Sequence, residues 1–351
     1  MKIFAAIFIY VLLNSFTNAI CQIGGKAFQF LDMTNSARVA ALGGKSVAIH
    51  DDDLNIAYYN PSIVSEGMSN QFVLNYVNYF AGINYGYASY ARSFDKIGNF
   101  AAGIHYLNYG SFIGADENGM KTSDFHAAEY AFNLIYSRKI DSLFHVGVNL
   151  KPLYSSLETY SSFAIAIDAG ITYHNPDMLF TASLVIRNLG TQITTYYPNG
   201  DYESLPLDIS IGISQGLKHA PFKFYIIADH LEKFDLTYTT EKDEQDRLNA
   251  FTGDENKENK FDVSMDKVMR HFIFGTELSI TRNLILRFGY NYRRRQEMKI
   301  SNNPGTVGFS WGLGIRISKF HISYGRSAFH MTGSPNYFSL AMNLSEFYQK
   351  F

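Results

Sequence analysis

The sequence predicts an all-β protein, a 14-stranded antiparallel transmembrane β-barrel preceded by an N-terminal plug-like segment. Three observations predict it: hydrophobicity that alternates with a period of two along most of the chain, connections that alternate between short and long, and an export signal at the start. Composition agrees. Aromatic residues make up 16% of the chain, with 25 Tyr and 29 Phe against one Trp, and 27 Gly accompany only 8 Pro. No stretch after the signal approaches the roughly 18 consecutive apolar residues of a spanning helix, whereas a barrel strand needs apolar residues at every second position only.

Residues 1–21 hold one positive charge at Lys2, an apolar run from Phe4 to Leu13, and a polar stretch ending Ala19-Ile20-Cys21. This is the layout of a secretory signal peptide cut after Cys21. A lipoprotein signal is the rival reading, but Ile20 stands where a small residue is wanted before a lipidated cysteine. Cleavage there removes the chain's one cysteine, so no disulfide is expected.

Residues 22–70 lack the alternation and form an N-terminal segment expected to plug the barrel or lie beneath it; the small residues from Ala37 to Gly44 suggest a helical turn. Residues 71–351 form the barrel. From Val307 to Ile317 the odd positions are Val, Phe, Trp, Leu, Ile and Ile, and the even ones are Gly, Ser, Gly, Gly and Arg. A helix would scramble these two sets. The same split predicts strands near 71–81, 83–94, 98–110, 125–139, 142–157, 160–174, 177–189, 206–218, 221–234, 267–281, 283–299, 305–318, 319–328 and 335–347. Short turns at 95–98, 141–142, 175–177, 218–221, 281–283 and 318–319 alternate with longer connections at 110–124, 190–205, 235–266, 294–304 and 327–334. Outer-membrane barrels have short periplasmic turns and long outer loops, so an even strand count puts both termini in the periplasm. The connections around 81–83 and 155–159 are short where the pattern expects outer loops.

Phase assigns the charges to faces. Glu129, Lys151, Asp168, Arg187, Asp208, Lys223, Asp229, Glu277, Arg287 and Arg316 all lie opposite the apolar parity, and a charge facing lipid costs roughly 2–4 kcal/mol at the midplane, so these ten are expected in the lumen. Five acids and five bases suit a salt-bridge network better than an ion path, which would show one dominant sign. A net charge of −2 gives no sign of a nucleic-acid partner. Asp51-Asp52-Asp53 lacks the further ligands of a calcium loop and reads as a solvated acidic turn. No His-x-x-x-His and no mature cysteine is present, so no metal, cofactor or catalytic site is expected and the chain is not read as an enzyme. Residues 235–266 read as a solvated outer loop or a partner-binding one. Tyr106, Tyr109, Tyr154 and Tyr160 fit interfacial girdles, and Pro152 is the position best suited to a strand kink with a lateral opening.

The stretch from Phe28 to Gly44, with its run Ser36-Ala37-Arg38-Val39-Ala40-Ala41-Leu42-Gly43-Gly44, followed by Asp51-Asp52-Asp53 and Asn60-Pro61-Ser62, resembles the N-terminal signature of the PorQ family of the Bacteroidetes type IX secretion system, with a related Asn-Pro motif in the PorV proteins. Both are similar to the FadL class of 14-stranded barrels with an N-terminal segment in the lumen. The motifs cover residues 28–62 only. The resemblance implies an outer-membrane anchor, in contact with membrane lipid, that holds a PorZ-like surface protein beside PorU-like and PorV-like components while cargo is processed and joined to lipopolysaccharide. The alternative is a FadL-like transporter of hydrophobic solutes. Arg38 is expected to pair with a lumenal acid such as Asp168 and fix the plug.

Overall fold

In a computed structural model, residues 26–115, 118–237, 260–298, 305–329 and 333–348 are described. The signal peptide and most of the 235–266 loop lie outside them. Fourteen strands, β1 (Gln71–Asn78), β2 (Asn84–Phe94), β3 (Gly98–Phe112), β4 (Phe125–Lys139), β5 (Phe144–Leu157), β6 (Tyr160–Asn175), β7 (Phe180–Thr194), β8 (Asp208–Gly216), β9 (Phe222–Ala228), β10 (Phe272–Thr281), β11 (Leu284–Asn291), β12 (Phe309–Ile317), β13 (Phe320–Ser327) and β14 (Asn336–Asn343), pair in sequence order. β1 closes the barrel on β14, with Gln71 opposite Asn343 and Asn78 opposite Asn336. Closure leaves no free edge. The outward residues, among them Leu74, Phe132, Leu134, Ile167, Phe224, Trp311 and Phe338, are exposed large hydrophobics. On an outer wall they form a lipid-facing surface, with the rings of Tyr106, Tyr130 and Tyr154 in tilted contact across neighbouring strands.

All fourteen expected strands are present, but several ends differ. β9 stops at Ala228 because the chain turns at His230, whose φ is +54°, while its N–H donates to Asp208 Oδ1 at 3.1 Å. β10 begins five residues late because helix α2 (Lys260–Met269) runs up to it; helix α1 lies in the N-terminal segment at Ala37–Ala41. The expected strand through 292–299 is instead helix α3 (Tyr292–Met298): Arg, Gln, Glu and Met favour helix, and Asn291 Oδ1 accepts the Arg294 N–H at 2.9 Å as an N-cap. A last turn, α4 (Ser345–Tyr348), replaces the end of the fourteenth strand. The wall is uneven: β3 to β7 have 14–16 residues and the other strands 7–11.

The N-terminal segment fills the barrel. Lys26 bridges to Ser204 in the long β7–β8 connection, and the chain then runs through the lumen to the opposite rim, where the Asn70 carbonyl accepts the Leu344 N–H beside the short turns. The barrel's first and last strands therefore end on one face as expected, but the segment's described start lies at the long-loop rim. Leu31, Val39, Leu42, Ile49, Leu54, Ile56, Tyr58 and Ile63 are fully buried against inward residues of the wall.

Candidate functional site

The plug is held at three sets of contacts on different parts of the wall. α1 packs on β11 to β14. The helix ends because Gly43 and Gly44, at φ of +106° and +103°, form a Schellman turn in which the Gly44 N–H donates to the Val39 carbonyl at 2.9 Å and the Gly43 N–H to Ala40 at 3.2 Å. Side chains of the wall take the helix's unsatisfied groups: the Ala37 N–H donates to Ser339 Oγ, and Ser310 Oγ and Ser327 Oγ donate to the Ala41 and Ala40 carbonyls. Ser36 is buried immediately before this helix, and Leu42 is buried at its end.

Arg38 is the centre of this contact. Its Nε and Nη2 donate to the two Glu277 oxygens at 2.8 and 2.9 Å, Nη2 also donates to Asp51 at 2.7 Å, and Nη1 reaches Asp51 and Asp53 at 3.1 Å. Arg287 Nε shares Glu277 at 2.8 Å, and the Tyr225 hydroxyl donates to the same carboxylate. The guanidinium thus joins plug residues 38, 51 and 53 to strand β10. Arg38 does not meet Asp168, because Asp168 is already neutralised by Lys151 on the next strand at 2.7 Å, with both side chains fully buried. Asp51 and Asp53 are therefore ion-paired rather than a solvated turn; Asp52 is exposed and accepts from Ser65 Oγ.

The second contact is the Asn60-Pro61-Ser62 corner against β4 to β6. Asn60 Oδ1 accepts the Ser62 N–H at 3.0 Å, while its Nδ2 donates to the Val47 carbonyl at 2.7 Å and to Thr172 Oγ1 at 2.9 Å. Pro61, first in its helical turn, needs no partner for a nitrogen without hydrogen. Asn60→Ala removes these bonds inside a dry site and is expected to lower stability by about 1–3 kcal/mol. Chemical unfolding in detergent micelles reads this as a lower midpoint with an unchanged barrel signal; an unmoved midpoint refutes the role of Asn60.

Lys45 makes a third link that the sequence pattern does not reveal. Its ammonium lies 3.0 Å from Asp208, 3.3 Å from Asp229 and 3.1 Å from His230 Nε2, and Arg187 stands 3.7 Å from Asp208. Asp208, His230 and Glu232 bring oxygen and nitrogen ligands close enough for a cation. Lys45 supplies a positive charge at that place, so the cluster reads as an ion-pair knot. Asp229 lies just past β9 rather than on a strand.

Eight of the ten expected lumenal charges are buried: Glu129, Lys151, Asp168, Arg187, Asp208, Asp229, Glu277 and Arg287. Glu129 pairs with a tyrosine, accepting from the Tyr109 hydroxyl at 2.6 Å, which also turns Tyr109 inward and removes it from the girdle. Lys223 is half-buried with its ammonium 5.4 Å from the Tyr225 ring. Arg316 is a correction. It has the inward parity but sits at the strand end, 51% exposed, beside Glu346 at 3.9 Å.

The lumen holds cavities at its ends. Two open at the long-loop rim, of about 230 and 420 Å³, and one of about 400 Å³ opens at the short-turn rim beside Arg38, His50 and Lys223. Between them lie the fully buried Leu54, Ile56, Tyr58 and Tyr59. Pro152 opens nothing: its pairing with Ile165 on β6 is continuous, and the β4–β5 ladder resumes in the same register on either side of it. A wall irregularity does occur at Asn188 in β7, φ +58°, but it is closed by its N–H to Asp168 and by its Nδ2 to the Pro206 carbonyl.

No protein-family model matches the chain, and no curated protein matches it. Among solved structures, the chain is similar to the deltaS2 mutant of the TodX monoaromatic hydrocarbon channel, at 13% identity over 88% of this chain and 97% of the other with a TM-score of 0.51. The deltaS2S3 mutant of the same channel aligns at 12% identity over 88% and 99% of the two chains, also at 0.51. A FadL homologue from Pseudomonas aeruginosa aligns at 10% identity over 88% and 98%, at 0.46. The likeness to the TodX structures is one of fold, a closed 14-stranded antiparallel barrel.

Proposed function

We propose that this chain is an outer-membrane protein that works as a sealed anchor, presenting its long-loop rim to a surface partner while its plug keeps the lumen shut. The observation that carries the reading is the plug itself, bound at β10–β14 through Arg38 and at β4–β6 through Asn60, with buried tyrosines between the end cavities. Anchoring asks for a closed wall, a blocked lumen and loops free to dock. The finer reading, an anchor in the type IX secretion attachment complex with PorZ-like, PorU-like and PorV-like components, rests on the resemblance of Ser36–Gly44, Asp51–Asp53 and Asn60–Ser62. No catalytic role is proposed.

A second reading, transport of hydrophobic solutes, is favoured by the likeness of fold to hydrocarbon channels, and the comparisons lean towards it. A mild-detergent pull-down from native outer membranes, with mass spectrometry of proteins and lipids, separates the two. Recovery of a surface protein supports the anchor. A barrel that arrives alone, loaded with fatty acid or hydrocarbon, supports the transporter. In planar bilayers the wild-type barrel is expected to pass no steady ion current; a stable open level would overturn the sealed reading.

A further inference from the structure

We propose that the 230 Å³ cavity at the long-loop mouth is a binding site for a compact monocarboxylate on an apolar body, such as a single-ring acid, with Arg294 as its counter-ion. The argument starts from charge. Among the described residues every buried lysine or arginine of the lumen has a carboxylate within 4 Å: Arg38, Lys45, Lys151, Arg187 and Arg287. Arg294 lines the cavity, half-buried like Lys223 at the other rim, and like Lys223 it has no carboxylate within 4 Å among the described residues; what sets it apart is an unpartnered nitrogen. Its Nη1 is shielded from solvent without a hydrogen-bond partner, and its guanidinium carbon lies 3.9 Å from the centre of the Phe329 ring.

The neighbours in the arginine triplet show that this is not a general want of partners. Arg293 reaches Asp229 at 3.7 Å, and Arg295 Nη1 donates to the Gly305 and Val307 carbonyls. Burial pulls the Arg294 pKa below its ordinary value, with only tyrosine hydroxyls to oppose the cost. Arginine nevertheless stays charged at neutral pH. A guanidinium can give a planar carboxylate two parallel N–H bonds, which is the pairing that Arg294 lacks.

The walls set the rest of the ligand. Tyr79, Tyr85, Phe329, Tyr337 and Met33 line the cavity. An apolar cavity of about 150 Å³ takes a benzene ring, so this one admits a ring with its acid group and is too small to enclose a long acyl chain. Asp32 and Glu297 also line it, neither within 4 Å of Arg294. Their charge disfavours a dianion such as phosphate and leaves room for one negative group only. A neutral hydrocarbon would leave Arg294 as it is now. The inference concerns the mouth above the plug and does not depend on whether the barrel anchors or transports.

Titration of the full barrel in maltoside micelles, followed by calorimetry, tests it with benzoate, benzamide, laurate and inorganic phosphate as probes. Benzoate is expected to bind and benzamide, its uncharged counterpart, to bind at least about tenfold more weakly. Arg294→Gln is expected to weaken benzoate by at least about tenfold, with Arg294→Lys in between. Equal binding of benzoate and benzamide, tighter binding of laurate or phosphate, no binding of benzoate, or an indifferent Arg294→Gln each overturns the assignment. The benzoate and benzamide comparison needs no variant, so it decides the matter even if Arg294→Gln does not fold.

Discussion

Arg38→Gln is expected to destabilise the plug by about 3–5 kcal/mol, the cost of removing one partner from a buried ion-pair set. The loss is large because one guanidinium serves three carboxylates. Without it Asp51 and Asp53 keep no cation within 4 Å among the described residues, and Glu277 keeps Arg287 alone. The carboxylates would then repel one another across the joint between plug and wall. Protease digestion of the folded barrel should begin to cut within residues 27–68, and the unfolding transition should split into an early plug step and a late barrel step. Arg38→Gln combined with Glu277→Gln should recover part of the loss. If cutting and midpoint both stay at wild-type values, shape alone holds the plug and the ion cluster is incidental.

Gly289→Ala is expected to open the barrel to ions. A Cβ at this position would lie 2.2 Å from the Gly43 nitrogen and 2.3 Å from the Leu42 carbonyl carbon. Both are backbone atoms, so no side-chain rotation relieves the clash and the end of α1 must move off β11. Gly147→Ala does the same at the other contact, where the new carbon would meet the Pro61 carbonyl group at 2.4 Å. Overpacking of this kind costs about 1–3 kcal/mol. Single-channel recording should show brief openings in each variant and sustained ones in the double variant. Ala102→Val on the lipid-facing side serves as the control. Silence from the double variant would mean that the plug yields without opening a path.

The wall was legible in the sequence because two different surroundings act on alternate residues. Lipid demands Phe132 and Leu134 on one face, and the packed plug demands Ala131 and Asn133 on the other. Height was less legible. Parity places Arg316 inward, yet at a strand end an inward side chain reaches solvent; Tyr109 is the opposite case, since it shares the parity of the buried His105 and Leu107 and its hydroxyl turns inward to Glu129. The expected strand through 292–299 failed where a short strand gave way to a capped helix. Asn291 and the following Arg-rich run carried that signal. In the plug no period exists, so Arg38 was identifiable as a lone charge among small residues, but its true partner lies on β10 rather than β6. Lys45 was missed for the same reason, and Arg294 because nothing in a linear sequence marks a cation that lacks a mate.

The uneven wall has a consequence for the surrounding bilayer. At about 3.3 Å per residue and a tilt near 45°, strands of 14–16 residues rise roughly 35 Å, whereas strands of 8 residues rise about 19 Å. The hydrocarbon layer is about 30 Å thick, so the flank from β3 to β7 outspans it and the flank from β11 round to β1 falls short. Such mismatch is relieved by leaning the barrel and thinning the lipid along its low side. The protein therefore carries a compass direction in the membrane plane. Neighbours that relieve the thinned lipid will gather along the low flank.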